Sequence, residues 1–272
     1  MLDLTLKQHL ERQEGNKIIE KYGNDKERFL KDIMNLMVLI EGGSVELRDY
    51  INMNKWLSSD YTLSDPGSGS NRKVITWTET IEPFYVMKYP VTQHLYHFVL
   101  NEEEVEPNVC NLPITEVSWI DSLVFCNKLS RMLGRTECYN IDSESKNTIY
   151  NNKANGFRLL SDAEWQYACK AGTTGYRYAA IDQIAWYLKN SNGSAQHVGK
   201  LLPNPWGLYD MIGNVWEWCW DLYDTNRYGN YRVFRGGSWA EVENNCGSTV
   251  RRKSMPEFKI DDLGFRIALT KP

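Results

Sequence analysis

The first strong pattern of apolar positions lies near the N-terminus. Five apolar residues there recur at spacings of three and four, namely Phe29, Leu30, Ile33, Met34 and Met37. This spacing places them on one face of an amphipathic helix. We therefore predict a helical arm over residues 1–37. It either packs on the main domain, which is the more common outcome, or contacts a helix of a partner.

Two further helices are predicted from their starting residues. The sequence from Ser118 to Asp121 resembles a capping box, and the sequence from Ser161 to Glu164 is one. The first helix is expected to stop near Gly134. The second is expected to end at Gly172, because glycine readily adopts the conformation that terminates a helix.

Short runs rich in β-branched and aromatic residues predict strands. They lie at residues 37–40, with a turn at Gly42 and Gly43, and at 232–235 and 264–269. Residues 65–70 (DPGSGS) predict a flexible loop. Two main helices, many short strands and much irregular chain favour an α+β fold with short antiparallel sheets.

The composition excludes several classes of protein. Thirty-one basic and 35 acidic residues give a net charge of −4 and a pI near 5.7, so nucleic-acid coating is not expected. No apolar run approaches the ~20 residues of a membrane span. The N-terminus lacks the basic and apolar stretches of a secretion signal, which predicts a cytoplasmic protein. Surface display stays open if a leader has been removed.

Cysteine spacing excludes two common sites. The six cysteines are at positions 110, 126, 138, 169, 219 and 246, and no two of them form a C-x-x-C pair. A zinc ribbon and a thioredoxin-like site are therefore excluded, and we expect reduced, mostly buried thiols. Ten tryptophans and 16 tyrosines indicate a compact fold whose irregular loops are anchored by aromatic side chains.

Seven blocks carry a family resemblance, in order along the chain. They are VLIEGG (38–43), FYVMKYPVT (84–92), PITEVSW (113–119), GFRLLSDAEW (156–165), NPWGLYDMIGNVWEW (204–218), RGGSW (235–239) and GFR (264–266). From residue 38 onward the chain resembles the formylglycine-generating enzyme family, also called the sulfatase-modifying-factor domain. The resemblance implies a C-type-lectin-like fold of the enlarged kind. We therefore divide the chain into a helical arm, 1–37, and one domain, 38–272.

The resemblance implies a copper site that this sequence does not complete. Formylglycine generators hold Cu(I), a soft ion, with two cysteines five residues apart. The second position matches Cys246, but the first is Glu241. A carboxylate is a hard donor and cannot form a disulfide with Cys246. We therefore predict that this chemistry is lost, that neither copper nor iron is bound, and that Cys246 is a packing remnant.

The iron-dependent branch of the family draws its histidines from an added helical bundle, for which the arm is too short. Of the four histidines, His9, His94, His97 and His197, the middle two lie three apart on a predicted helix. We interpret them as a solvated surface pair rather than as metal ligands. The H-E-x-x-H, G-x-S-x-G and P-loop motifs are absent.

The resemblance also implies a structural calcium site in the loop from Asp210 to Glu217. Carried over by position, the ligands are the side chains of Asp210 and Glu217 and the carbonyls of Gly213 and Val215. Calcium takes six to eight oxygens and often mixes carboxylates with carbonyls. The alternative is that the two acids only cap turns. A second family site near residues 189–199 is not assigned, because that stretch lacks clear acids.

Residues 240–262 depart most from the enzymes. In the variable proteins of diversity-generating retroelements, the same interval carries the ligand-contacting residues, and loops on a rigid scaffold are where binding residues gather. The predicted ligand-binding residues are Trp239, Ala240, Glu241, Val242, Glu243, Asn244, Asn245, Ser248, Thr249, Lys253, Met255, Glu257, Phe258, Lys259, Ile260 and Asp261. Val242, Met255 and Phe258 are expected to be apolar tips. The alternative is an ordinary solvent-facing loop.

Three hypotheses follow. The first is a non-catalytic protein that binds a protein or other macromolecular ligand through residues 240–262, as a retroelement variable protein of bacterial or phage origin does. The second is a metal-dependent oxidoreductase related to the formylglycine generators or the sulfoxide synthases. The third is an accessory subunit whose helical arm contacts a partner.

Overall fold

The computed structural model describes residues 26–52, 72–100, 111–141 and 148–271. The predicted loop at 65–70, most of the helical arm, His9 and Cys110 lie outside these ranges. No helix in the described ranges is both long and apolar enough to cross a membrane.

Six short α-helices and twelve strands build the described part of the chain. The helices are α1 (Lys26–Asn35), α2 (Gln93–Leu100), α3 (Trp119–Met132), α4 (Asp162–Lys170), α5 (Ile181–Ile184) and α6 (Thr225–Tyr228). The strands are β1 (Met37–Ile40), β2 (Gly43–Asn52), β3 (Arg72–Ile81), β4 (Phe84–Met87), β5 (Tyr139–Asn140), β6 (Ile149–Tyr150), β7 (Phe157–Leu159), β8 (Trp216–Leu222), β9 (Arg232–Arg235), β10 (Arg251–Ser254), β11 (Leu263–Phe265) and β12 (Ile267–Thr270).

The strands form two four-stranded sheets and two hairpins. The first sheet has the order β1-β4-β12-β7, and all its pairings are antiparallel. The second has the order β10-β9-β8-β11, and its β8–β11 pairing is parallel, unlike the antiparallel sheets expected from the sequence. The pairs β2–β3 and β5–β6 stand apart from both sheets. The α+β class is confirmed.

The strand predicted at residues 264–269 is instead two strands in different sheets. Its first part, β11, pairs with β8, and its second part, β12, pairs with β4 and β7. The break falls at Arg266, whose guanidinium is fully buried and is held by Glu217. This residue therefore marks the crossover of the chain from one sheet to the other.

Both predicted capping boxes are present. Ser118 accepts from the backbone of Asp121, whose carboxylate accepts from the backbone of Ser118. Ser161 and Glu164 make the same reciprocal pair at the start of α4. Each box satisfies backbone N–H groups that the first helical turn leaves without partners. Helix α4 ends at Ala171, which takes the left-handed conformation one residue before Gly172.

The predicted apolar face of α1 packs on the domain. Phe29 and Ile33 are buried in the same core cluster as α2 and α3, and the ring centroids of Phe29 and Phe98 are 5.1 Å apart. Docking is thus confirmed for residues 26–35. The aromatic anchoring expected from composition is confirmed as well, since the Trp119 indole donates to the carbonyl of Cys219 and the Trp218 indole to that of Val117.

Candidate functional site

The two ends of the predicted binding segment are tied to each other. The hydroxyl of Ser238 donates to the carboxylate of Asp262 at 2.5 Å, and both residues are buried. The Trp239 indole donates to the carbonyl of Asp261 at 3.3 Å. Residues 240–260 therefore leave and return to the scaffold at one place, as a closed loop with a fixed base.

Two glycines let the chain enter this loop. Gly236 and Gly237 have backbone φ angles of 103° and 85°. Residues that carry a side chain rarely adopt such values. A Cβ on Gly237 would lie 2.7 Å from the Cys246 sulfur. The glycine pair of the RGGSW block therefore allows close contact between the end of β9 and Cys246.

Glu241, which the family resemblance sets at the position of the first copper-binding cysteine, is held in an ion pair. Its carboxylate meets the guanidinium of Arg252 through two hydrogen bonds and accepts from the side-chain amide of Asn245 at 2.8 Å. Arg252 in turn lies over the ring of Trp216, 4.8 Å from its centroid. The carboxylate thus ties the first residues of the loop to β10 (Arg251–Ser254), which lies further along the same segment, and is not presented to solvent as a free ligand.

Cys246 is a buried, neutral thiol. Its side chain is fully buried, and its sulfur lies 3.8 Å from the carbonyl oxygen of Ser238. Burial, with a smaller contribution from the negative charge of Glu241, raises the pKa of this thiol to about 12. The five cysteines in the described ranges are all buried and reduced, which confirms the expectation for them.

Residues outside the segment hold its backbone. The N–H of Leu188 donates to the carbonyl of Glu241 at 2.9 Å, and the hydroxyl of Tyr176 donates to that of Asn244 at 2.6 Å. Arg177 donates from Nε to the carbonyl of Cys246 at 2.8 Å and forms an ion pair with Glu243. Sequence reasoning missed these three supports, because they lie more than 50 residues away and belong to no motif.

The predicted ligand-binding residues differ in exposure. Those exposed are Ala240, Val242, Glu243, Asn244, Met255, Glu257, Lys259, Ile260 and Asp261. Those partly buried are Trp239, Glu241, Asn245, Thr249, Lys253 and Phe258. Ser248 is buried and donates to the carbonyl of Tyr176, so it supports the loop and does not reach a surface ligand.

Four large apolar side chains are exposed at this loop. The exposed fractions are 52% for Val242, 49% for Met255 and 41% for Ile260, and Leu188, bonded to Glu241, is 55% exposed. Phe258, expected to be a third apolar tip, instead packs partly buried against the core. Ile260 is the third exposed apolar side chain of the segment.

Two charged residues of the segment contact the scaffold. Lys259 forms an ion pair with Asp121 at 2.6 Å and so reinforces the capping box of α3. The Lys253 ammonium lies over the rings of Tyr223 and Tyr228, at 4.7 and 4.3 Å from their centroids. The charged ends of Lys253 and Lys259 therefore already contact other residues of the protein.

The loop predicted to bind calcium is buried. Asp210 takes a left-handed conformation with φ of 54° and accepts from the backbone of Gly199 at 2.7 Å and from the Asn214 side chain at 3.5 Å. Burial raises the pKa of Asp210 to about 6. One oxygen of this carboxylate is therefore only weakly engaged by the protein.

Glu217 fits the calcium role less well. Its oxygens accept two or more hydrogen bonds from the guanidinium of Arg266 and one from the Trp165 indole at 2.7 Å. The donor set thus fits calcium in part: Asp210 has an oxygen to offer, whereas the Glu217 charge is already balanced. A calcium ion here would share Glu217 with Arg266.

The two histidines that the sequence places three residues apart, His94 and His97, are not part of a metal-binding cluster in the described ranges. His94 is exposed on α2 and His97 is partly buried one turn later, beside Tyr96. Within the ranges that the structure describes, no group of three or more His, Cys, Asp or Glu side chains is arranged to hold a metal ion.

One family model matches nearly the whole of this chain. Residues 25–271 match the model of the Sulfatase-modifying factor enzyme 1-like domain. The chain belongs to this family. The match to the sulfatase-modifying-factor domain begins within the segment predicted as an arm, at the helix that packs on the core.

Relatives in this family have diverse names. Chaperone protein LppX of Paenibacillus barcinonensis is 27% identical over 257 residues, which cover 80% of this chain and 92% of that protein. Formylglycine-generating enzyme of Streptomyces coelicolor is 32% identical, over 42% of this chain and 46% of that protein. Inactive C-alpha-formylglycine-generating enzyme 2 of Bos taurus is 27% identical, over 57% and 50%. The chain thus spans about half the length of the two formylglycine relatives.

Solved structures share the fold. Treponema denticola variable protein 1 aligns with a TM-score of 0.70 and 26% identity, covering 86% of this chain and 95% of that one. CarF aligns with a TM-score of 0.65 and 24% identity, covering 87% and 98%. The sulfatase-modifying-factor fold predicted from the seven blocks is therefore confirmed.

Proposed function

We propose that this chain is a non-catalytic protein-binding domain whose binding face is the loop of residues 240–260 together with Leu188. The observation that carries the proposal is the state of Glu241. A carboxylate bonded to Arg252 and Asn245 stands where the formylglycine generators have their first thiol. The position serves to hold the loop in shape.

The shape of the loop supports recognition. Its ends are tied by Ser238 and Asp262, and its backbone is bonded to Leu188, Tyr176 and Arg177. A fixed backbone lowers the entropy lost when a partner binds. Exposed Val, Met, Ile and Leu side chains with charges around them suit a protein contact, in which an apolar centre has a polar rim.

Relatives support a protein as the ligand. LppX, which this chain nearly spans, is named a chaperone, and the aligned Treponema protein is named a variable protein. Another relative is named an inactive formylglycine-generating enzyme. These names favour macromolecular recognition without oxidase chemistry.

Site-specific photo-crosslinking tests the proposal. A photoreactive amino acid replaces Val242 or Met255 in the full chain, and crosslinked proteins are identified by mass spectrometry. We expect one protein to be captured from both positions and to be lost in a variant with Leu188→Glu and Ile260→Glu. The matched control is Ile149, an exposed apolar residue of β6 outside the loop. Equal capture from Ile149, or none from either loop position, contradicts the proposal.

The oxidoreductase alternative has its own test. Cu(I) is titrated against a competing chelator, and a cysteine-bearing peptide is assayed for the aldehyde product. We expect wild type and Cys246→Ser to bind Cu(I) equally weakly and to yield no aldehyde. Tight uptake that depends on Cys246, together with aldehyde formation, would establish the enzyme instead.

We also propose that the loop of residues 210–217 binds calcium in a structural role. Asp210 and the carbonyls of Gly213 and Val215 would hold the ion, and Glu217 would share its charge with Arg266. What supports this is the weakly engaged oxygen of Asp210 in a buried loop. The ion would brace the loop next to β8 and take no part in a reaction.

A further inference from the structure

The base of the 240–260 loop contains a buried carboxylate with one oxygen that has no partner. Asp262 is 6% exposed. Its Oδ2 accepts from the hydroxyl of Ser238 at 2.5 Å, and no other described residue donates a hydrogen bond to this carboxylate. The described ranges contain fully buried polar atoms that lack a partner, but Oδ1 of Asp262 is not one of them. This oxygen is therefore both without a partner and open to solvent.

The charges around Asp262 are mainly negative. Asp261, the next residue, is exposed, and its carboxylate forms no ion pair within the described ranges. Burial raises the pKa of Asp262, and the negative charges of Glu241 and Asp261 raise it further. The hydrogen bond from Ser238 and the charge of Arg252 act in the opposite direction. Because Arg252 is paired with Glu241, Asp261 and Asp262 keep their own negative charges uncompensated.

The nearby basic side chains have other partners. Lys259 forms an ion pair with Asp121, and the Lys253 ammonium lies over two tyrosine rings. Arg177 is paired with Glu243. The positive charge that would balance the two carboxylates at the base of the loop is therefore one that a ligand can supply.

An aromatic side chain lies beside the two carboxylates. The Trp239 indole donates from Nε1 to the carbonyl of Asp261 at 3.3 Å, and the backbone carbonyl of Trp239 accepts from the hydroxyl of Ser191 at 3.0 Å. Its side chain is partly exposed. A cation on an alkyl stem suits such a place, because the indole attracts the charge and the methylene groups pack on apolar surface.

The available oxygens favour one kind of cation. Within the described ranges no cluster of three or more acidic, histidine or cysteine side chains could hold a metal ion. Arginine binds a carboxylate best through both of its oxygens, but Oδ2 of Asp262 already accepts from Ser238. A lysine ammonium is a compact charge with three donors, and it needs only Oδ1.

We propose that Asp262, Asp261 and Trp239 form a lysine subsite, in which Oδ1 of Asp262 accepts a hydrogen bond from an ammonium group of the protein that binds the 240–260 loop. The source of the lysine rests on the proposed function. A carboxylate that is largely removed from water forms a strong hydrogen bond with a charged donor. The exposed apolar side chains of the loop would supply contact area, and the subsite would select a partner with lysine at this point.

A nuclear magnetic resonance titration of the full chain with n-butylammonium, the side-chain analogue of lysine, tests the subsite. The signal followed is the indole N–H of Trp239, assigned by its absence from Trp239→Phe. We expect a saturable shift with n-butylammonium, weaker binding of n-butylguanidinium, and no shift with the uncharged n-butanol. The buried indole of Trp119, which donates to the carbonyl of Cys219, is the internal reference and is expected to stay unchanged.

Three variants locate the site. Asp262→Asn keeps an acceptor for Ser238 and removes the charge, and it is expected to weaken n-butylammonium binding about tenfold with unchanged circular dichroism. Asp261→Asn changes an exposed residue, so it tests the site even if Asp262→Asn misfolds, and about two- to fivefold weaker binding is expected. The matched control is Asp32→Asn, which removes an exposed acid on α1 and is expected to bind as wild type does.

Several outcomes overturn the subsite. They are no shift with n-butylammonium, a shift that n-butanol reproduces, and equal binding by wild type, Asp261→Asn and Asp262→Asn. Binding of n-butylguanidinium as tight as that of n-butylammonium overturns the choice of lysine. If the subsite fails while photo-crosslinking from Val242 and Met255 still captures one protein, recognition through the loop stands without it.

Discussion

Glu241 holds its loop through an ion pair with Arg252. Its side chain is 14% exposed and that of its partner Arg252 is 23% exposed, so their ion pair is largely shielded from water. Removing one member of such a pair leaves the other charge shielded from water and without its hydrogen bonds. This lowers the free energy of unfolding more than removing an exposed charge does.

We therefore expect Glu241→Ala to lower the free energy of unfolding by about 1–2 kcal/mol in urea denaturation. The control is Glu243→Ala in the same loop. Glu243 also pairs with an arginine, but its side chain is 54% exposed, and we expect a loss of at most about 0.5 kcal/mol. Equal losses of unfolding free energy in the two variants would show that the Glu241–Arg252 pair stabilises the fold no more than the exposed Glu243 pair does.

Cys246 gives a second prediction for a single residue. Because its pKa is raised to about 12, the thiol stays protonated at pH 8, and the thiolate is the reactive form. We expect native protein to be labelled at Cys246 by iodoacetamide far more slowly than urea-unfolded protein, as measured by peptide mass spectrometry. Fast native labelling would indicate an accessible, activated cysteine and would favour the enzyme hypothesis.

For single residues, the sequence was informative at positions that could be counted from a family block. The position of Glu241 and the burial of Cys246 followed from the family blocks. The partners of Glu241 did not, because Arg252 and Asn245 meet it only through the turn of the loop. The burial of Ser248 and the partial burial of Phe258 could not be predicted, since a polar or aromatic residue in this segment gives no sign that it faces inward.

Among the elements, helix α4 begins with a cluster of buried charges. The carboxylate of Asp221 accepts from the backbone of Asp162 at 2.6 Å, while the carboxylate of Asp162 is held by Arg235 and Arg251. Burial, together with the negative charge of Asp162, raises the pKa of Asp221 from 3.8 to about 6. The helix start therefore carries one acid that titrates in an accessible range.

This predicts a pH effect on stability. Between about pH 4 and 6 the unfolded chain ionises Asp221 before the folded chain does, so stability falls as pH rises through this window. We expect Asp221→Asn, which keeps an acceptor for Asp162, to remove a fall of about 2 kcal/mol. Urea denaturation at pH 4 and pH 7.5 measures it, with the exposed Asp32→Asn as control. A variant that loses stability as wild type does would contradict the prediction.

The sequence predicted where helices and strands lie more reliably than which strands pair with each other. Both capping boxes gave correct helix starts, because a cap acts within one turn. The apolar face of residues 29–37 gave a docked helix. The division of residues 264–269 between two sheets could not be predicted, since it depends on Arg266 being drawn to Glu217, 49 positions away in sequence.

The stability of the whole molecule tests whether calcium binds the loop of residues 210–217. A ligand that binds only the folded chain raises its melting temperature. We expect calcium, but not magnesium, to raise it relative to EDTA, and we expect Asp210→Ala to abolish the rise against that variant's own EDTA value. Differential scanning fluorimetry measures both. An unchanged melting temperature, or an equal rise in the variant, would contradict calcium binding through Asp210.

The overall fold was predictable because seven blocks fix most of the domain in order. The function was not, because the blocks lie in the frame and the proposed binding loop lies between them. Its supports, Leu188, Tyr176 and Arg177, come from chain segments that carry no family block. The fold therefore followed from the sequence, whereas the composition of the proposed binding face needed the structure.

The way these supports attach has a consequence for the side chains of the loop. Leu188, Tyr176 and Arg177 hold the loop through main-chain carbonyls, which every amino acid possesses. Exchanging Val242 or Asn244 for almost any other residue leaves that attachment untouched. The exposed side chains of the loop can thus be exchanged one at a time while these backbone contacts are kept.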